Sequence, residues 1–258
     1  MMKMTGRTVL ITGGTSGIGM ELARQLISRG NTVIVTGRDI VRLNAARQAV
    51  AGLHVFQSDV SDPTSIESLY KLVSSQFPAL NTLVNNAGTM RNVKLDRQRR
   101  LSDLTAEVDG NLKGPMWMVQ TFVPLLLRQK NSLIVNVSSG LAFIPFPAAP
   151  IYSASKAALH AYTQCLRAQL AGTGVSVVEL APPGIETPLF RGEFAEEMKG
   201  EKGMNVSVLV KRAIAGIEAG KAEIRPGLSN ILKIASRVAP HFMFRQMVKL
   251  GHPKPAKA

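Results

Sequence analysis

Short β-branched runs alternate with longer helical patterns along the whole of this 258-residue chain, and that alternation restricts the fold more than any other feature. Strands are expected at 8–12, 32–36, 53–57, 82–85, 132–137, 176–180 and 222–225. Most are near-continuous apolar runs, the pattern of strands covered on both faces. Helical patterns fall between them at 18–29, 39–51, 62–76, 105–129, 151–171 and 206–219. Strand–helix–strand repetition of this kind builds βαβ units. The expected fold is therefore α/β: one Rossmann-type, doubly wound parallel sheet of seven strands with helices on both faces. Residues 1–227 are expected to form its main body, the part that the motifs described below assign to dinucleotide binding and catalysis. Residues 228–258 form a basic, amphipathic extension of the same domain, with the terminal PKPAKA as a solvated tail.

Composition narrows the classes. With 45% hydrophobic and 19% charged residues the chain can bury a full core. A lone cysteine, Cys165, excludes an internal disulfide and a Cys-based zinc cluster, and its setting in AYTQCLRAQL reads as a buried helical thiol. TVLITGG is too short for a signal-peptide core or a membrane span, so a reducing cytoplasm is the expected location. The net charge of +14 comes mostly from two patches. RNVKLDRQRR (91–100) has net charge +4, and the stretch from Arg225 to the end has seven cations and no anion. No aromatic residue interleaves the first patch, which argues against nucleic-acid binding. The four histidines lack ligand spacing, so no metal is expected.

Two motifs carry chemistry. TGGTSGIG (12–19) follows the first strand and opens a helix, where a phosphate can rest on free backbone N–H groups. Gly13, Gly17 and Gly19 allow close approach of the backbone, with Thr15, Ser16 and Ile18 between them. In PIYSASKAALHAY, Tyr152 and Lys156 are four apart, on one helical face and one turn from each other. A phenol beside a fixed ammonium is suited to proton transfer.

Together with NNAG (85–88), NL (111–112), NVSS (136–139), YSASK (152–156) and PPGIETP (182–188), these motifs resemble the short-chain dehydrogenases/reductases over residues 5–227. MKMTGRTVLITGG, LAPPGIETP and EIRPGLSN further resemble the DltE-like subgroup of uncharacterised oxidoreductases. The resemblance implies that Tyr152 is the acid/base, its pKa pulled down from the ordinary value near 10 by Lys156 and an oxidised nicotinamide ring. It implies that Lys156 also holds the nicotinamide ribose and that Ser139, thirteen residues before Tyr152, bonds the carbonyl oxygen. Ser138, its neighbour on extended backbone, points the other way. Asn111 corresponds to the asparagine that kinks a helix and holds a relay water. Asp59 and Val60 correspond to the adenine contact. Asn86, Ala87 and Gly88 belong to the cofactor wall, as do Pro183 and Gly184. Ile185 and Thr187 take the carboxamide.

Cofactor choice is read after VIVTG, where Gly37 stands in the place of the acid that holds a ribose 2′-hydroxyl in NAD binders. Arg38 follows, suited to a 2′-phosphate, with no nearby carboxylate expected and Asp39 reading as a helix N-cap. NADP(H) is the expected cofactor. GLAFIPFPAAP (140–150) reads equally as the wall of an apolar substrate site or as packing beneath a loop. The leading function is an NADPH-dependent carbonyl reductase/alcohol dehydrogenase. The rival is a non-catalytic cofactor-binding sensor or scaffold, a use this fold also serves. The alanine-rich helix of Tyr152 suggests a homodimer or homotetramer. In ILKIASRVAPHFMFRQMVKL, Pro240 separates two short basic helices, read as a lid, a subunit contact or a membrane-surface contact.

Overall fold

The computed structural model describes residues 2–251, and the PKPAKA tail lies outside the described residues. Seven strands form one sheet: β1 (Thr8–Thr12), β2 (Thr32–Gly37), β3 (Leu53–Gln57), β4 (Leu80–Asn85), β5 (Ser132–Val137), β6 (Val175–Leu180) and β7 (Glu223–Ile224). Their order is β3-β2-β1-β4-β5-β6-β7, and every pairing is parallel. The alternation of side chains explains the two cores. Val9 and Ile11 of β1 face one apolar layer while Leu10 faces the other. On β5, Leu133, Val135 and Val137 face the first layer and Ile134 the second. Burial on both faces is why these strands read as continuous apolar runs.

Helices α1 (Gly17–Ile27), α2 (Ile40–Ala49), α3 (Pro63–Gln76), α4 (Leu101–Val108), α5 (Gly114–Leu127) and α6 (Pro150–Gln169) fill the crossovers. They are followed by α7 (Pro188–Arg191), α8 (Val206–Glu218), α9 (Leu228–Val238) and α10 (Pro240–Gly251). The layer containing Leu22, Leu26, Leu209 and Ile214 joins α1 and α8 to one face of the sheet. Ile66, Val73, Phe122 and Leu166, from α3, α5 and α6, cover the other. Asp39 and Asp62 cap α2 and α3, each accepting from backbone N–H groups of the first turn. Pro240 begins α10, where its missing N–H costs no helical bond.

Two expectations need correction. The single helix expected over 105–129 is two helices joined by a π-helical turn, Asp109–Lys113, and the first begins earlier, at Leu101. The extra residue in that turn brings the Asn111 side chain onto the loop after β4: its Oδ1 accepts from Thr89 N at 2.9 Å and its Nδ2 donates to Thr89 O at 2.8 Å. Cys165 is exposed, not buried. It shares an outward face of α6 with Ala161 and Ala168, so an apolar stretch of sequence here is open surface.

Candidate active site

Strand order reverses between β1 and β4, and the loops leaving the C-terminal ends of these strands diverge there, opening a cleft. It has a volume of about 480 Å³ and runs from Arg38 and Asp59 at one end to Tyr152 and Lys156 at the other. Gly13, Thr15, Ser16, Gly17 and Ile18 form its floor, and Val60, Asn86, Ala87, Gly88 and Thr187 its walls. The floor requires its glycines. A Cβ on Gly13, which has a φ of +66°, would lie 2.8 Å from Ala87 Cα. One on Gly19 would lie 2.5 Å from Gly13 O, so Gly19 packs the turn from beneath and does not line the cleft.

Gly14 was missed by sequence reasoning. A Cβ there would sit 2.4 Å from the Val35 side chain, so the turn can lie against β2 only without one. Two polar side chains tie this turn to the loop after β4. Asn86 Nδ2 donates to Thr12 O and Gly13 O at 2.9 and 3.0 Å. Thr12 Oγ1 accepts from Asn86 N and Ala87 N at 3.0 and 3.1 Å. The other asparagines of the two motifs are structural, with Asn85 Nδ2 donating across the strands to Asn136 Oδ1 at 2.9 Å.

At the far end, Tyr152 and Lys156 project from one face of α6, both buried. Lys156 Nζ donates to Val137 O at 2.9 Å and lies 5.6 Å from the centre of the Tyr152 ring. Burial pushes the phenol up to about 12, a hydrogen bond with Ser139 draws it back, and the Glu107 charge adds an upward push. Burial also pushes the ammonium down to about 8. The downward pull expected from Lys156 and an oxidised nicotinamide ring concerns the cofactor-bound protein; in the protein by itself burial dominates. Desolvation disfavours the charged phenolate more than the hydrogen bond with Ser139 favours it. Ser139 Oγ accepts from Leu141 N at 3.1 Å, while Ser138 donates in the opposite direction, to Glu179 at 2.5 Å.

Glu107 was also missed. It is one turn before Asn111 on α4, it is buried, and Oε1 accepts from Arg91 N at 3.1 Å. Burial pushes its carboxyl up against the pull of Arg91. His160 bonds Glu179 at 2.7 Å, and Glu223 lies close by. Arg225 and Lys233 pair with Glu223, which engages those carboxylate oxygens within the chain.

A second cavity, of about 500 Å³, adjoins the cleft, and Tyr152 lines both. Ser139, Phe146, Phe190, Met198, Leu232 and Met247 are among its walls. Pro183, Gly184 and Ile185 lie along this cavity, whereas Pro182 and Thr187 border both spaces, because the turn after β6 passes between them. GLAFIPFPAAP does both things open to it: Leu141 and Phe146 line the cavity, and Ile144 and Phe146 pack into a third apolar cluster. Helices α9 and α10 close over the top through Leu228, Leu232, Met247 and Leu250.

At the other end, Arg38 is mostly exposed, and its Nη1 is 3.9 Å from Asp59 Oδ2. The expectation of no nearby carboxylate is thus corrected, because the parallel neighbour β3 ends beside β2. Arg42, unforeseen, also lines this end; Asp39 Oδ1 accepts from Val41 N and Arg42 N, while its Oδ2 lies 3.5 Å from Arg42 Nε.

The residues present fit a dinucleotide. Ser16 makes no side-chain cap at the start of α1, leaving first-turn N–H groups free for an anion. The close-packed glycine turn keeps side chains out of the space a diphosphate would need. The architecture and this cleft define a Rossmann-type dinucleotide-binding protein. The chain belongs to the short-chain dehydrogenase family, whose model, described as "short chain dehydrogenase", matches residues 7–198. It is 39% identical over 249 residues to the "Uncharacterized oxidoreductase DltE" of Bacillus subtilis (strain 168), covering 95% of this chain and 98% of that one. A short-chain dehydrogenase from Burkholderia cenocepacia J2315, solved with NADP, superposes with a TM-score of 0.83 at 23% identity, covering 96% of this chain and 99% of that one. One from Burkholderia phymatum, solved with NAD, superposes with a TM-score of 0.80 at 22% identity over the full length of both chains. The last two likenesses speak for the fold. Family membership makes the protein an oxidoreductase.

Proposed function

We propose that this protein is an NADPH-dependent reductase of apolar ketones or aldehydes, running in reverse as an alcohol dehydrogenase, with Tyr152 as its acid/base. The observation that carries this reading is the position of Tyr152 on the wall shared by the dinucleotide cleft and an apolar cavity. A bound nicotinamide supplies the hydride. Tyr152 gives its phenolic proton to the substrate oxygen as charge develops there, and the Ser139 hydroxyl donates a second hydrogen bond to that oxygen. Lys156, fixed by Val137 O, holds the ribose side of the cofactor and places its ammonium where it favours the phenolate after proton transfer. Asn111 acts from a distance, holding the π turn against Thr89 and thereby the wall facing Lys156.

NADPH is favoured by the pair of guanidiniums, Arg38 and Arg42, at the open end of the cleft. A 2′-phosphate would satisfy both, whereas Asp59 shares Arg38 only at 3.9 Å. Titration of the purified protein with each cofactor, followed by fluorescence, tests the preference. NADPH should bind at least tenfold more tightly than NADH, and Arg38→Asp should remove that margin. Tighter binding of NADH by the native protein would contradict the assignment.

A further inference from the structure

Helices α9 and α10 have two apolar sides, and only one is used within the fold. The inner side carries Leu232 and Met247, both 8% exposed, which join Phe146, Tyr152 and Phe194 in the third apolar cluster. On the outer side Ile231, Ile234, Val238, Phe242 and Phe244 are exposed, Val238 to 80%. Ile231, Ile234 and Val238 follow the i, i+3, i+7 spacing that makes one stripe of a helix. Among the described residues, fifteen large apolar side chains are exposed, and six of them, counting Leu228, lie on these two helices. Such concentration marks a contact surface rather than scattered exposure.

The charge on this surface has a single sign. From Arg225 onward the chain has seven Lys and Arg and no Asp or Glu. Arg225 and Lys233 are drawn to Glu223 on β7. Arg237, Arg245 and Lys249 stand exposed on the outer side, with no ion pair among the described residues. A second copy of the chain fits poorly here. A two-fold contact would turn the patch on itself and bring these cations against their own copies with no carboxylate to separate them. A nucleic acid would meet the cations, but aliphatic Ile231, Ile234 and Val238 offer bases no stacking platform.

From this complementarity we propose that the outer side of α9 and α10 docks on an anionic lipid surface. The apolar side chains enter the boundary between head groups and acyl chains, and Arg237, Arg245 and Lys249 meet the anionic head groups. The helices lie on the bilayer: they have 11 and 12 residues, and no helix among the described residues is long and apolar enough to cross a membrane. Leu228 is both exposed and part of the cavity wall, so docking brings the rim of the cavity to the lipid boundary. The proposal stands independently of the reductase reading, because its test reads lipid binding and not turnover.

The test is sedimentation of the full chain with phosphatidylcholine vesicles and with vesicles containing phosphatidylglycerol. The protein should pellet with the anionic vesicles and remain in solution with the neutral ones, and added salt should lower the bound fraction several-fold. An Ile234→Ser/Phe242→Ser variant and an Arg245→Gln/Lys249→Gln variant should each bind at least tenfold less, with melting temperatures unchanged because all four positions are exposed. Failure of the native chain to bind anionic vesicles at low salt would overturn the proposal. Full binding by the Ile234→Ser/Phe242→Ser variant would also overturn it, reducing the contact to charge alone. So would a native dimer that this variant splits without any vesicle binding, or retention on duplex DNA in place of vesicles.

Discussion

Burial dominates the chemistry of Tyr152 and Lys156, and it moves their proton affinities in opposite directions: the phenol up to about 12, the ammonium down to about 8. The folded chain therefore holds the Lys156 proton less firmly than the unfolded chain, where a value of 10.5 applies. Between pH 8 and 10.5 the unfolded state binds more protons at this lysine, so its own contribution to the stability of the free protein rises with pH across that window. The contribution is about 3 to 4 kcal/mol at most, from the 2.5 pKa units between 10.5 and about 8 at roughly 1.4 kcal/mol each. Denaturant melts of the native chain and of Lys156→Met should thus converge as pH rises from 8 to 10.5. Parallel curves would show that Lys156 is not desolvated as described. At this scale the sequence was informative where spacing is local. Tyr152 and Lys156 are four apart on one helix, and Ser138 and Ser139 alternate on extended backbone, so their directions follow from geometry. Glu107 and Arg42 were not legible, since each matters through a partner or a cleft wall that only tertiary contact supplies.

At the scale of elements, the seven strands were legible because a doubly covered sheet needs apolar, β-branched runs, and those runs appear directly in the sequence. The π turn at Asp109–Lys113 was legible only through the resemblance, which puts a helix-kinking asparagine at Asn111, and not from periodicity. Its sequence keeps helical periodicity on both sides, and the extra residue is stabilised by the bonds of Asn111 to Thr89, 22 positions away. Helix α6 shows the same limit differently. Its alanines could have packed on the protein's own sheet, yet Ala154, Ala157, Ala161 and Ala168 are exposed, with Cys165 among them. On the preceding helix, Met116 and Leu127 are also exposed, to 39% and 45%. Small side chains on an open helical face allow close helix contact, so these two helices are the expected subunit interface of a homo-oligomer. Light scattering at micromolar concentration should give a dimer or tetramer mass, and Ala157→Arg should lower it. A native monomer would remove this interface from the account.

For the whole molecule, the two spaces meet at a shared wall that carries the reactive phenol. The cleft is polar and floored by glycine, the neighbouring cavity is apolar and roofed by the C-terminal helices, and Tyr152 is on the wall between them. Cleft and tyrosine could be read from motifs and one stretch of cavity wall, GLAFIPFPAAP, from its apolar character, whereas the cavity as a whole could not, because its walls come from residues as far apart as Ile18 and Leu250. The central claim is that proton transfer from Tyr152 accompanies hydride transfer. It is tested most directly by following the loss of NADPH absorbance with a panel of apolar ketones and aldehydes, for the native protein and for Tyr152→Phe. The native protein should reduce at least one of them. Tyr152→Phe should be slower by about a hundredfold or more, with its NADPH titration unchanged, since the ring still fills its place. Near-native turnover by Tyr152→Phe would contradict the account.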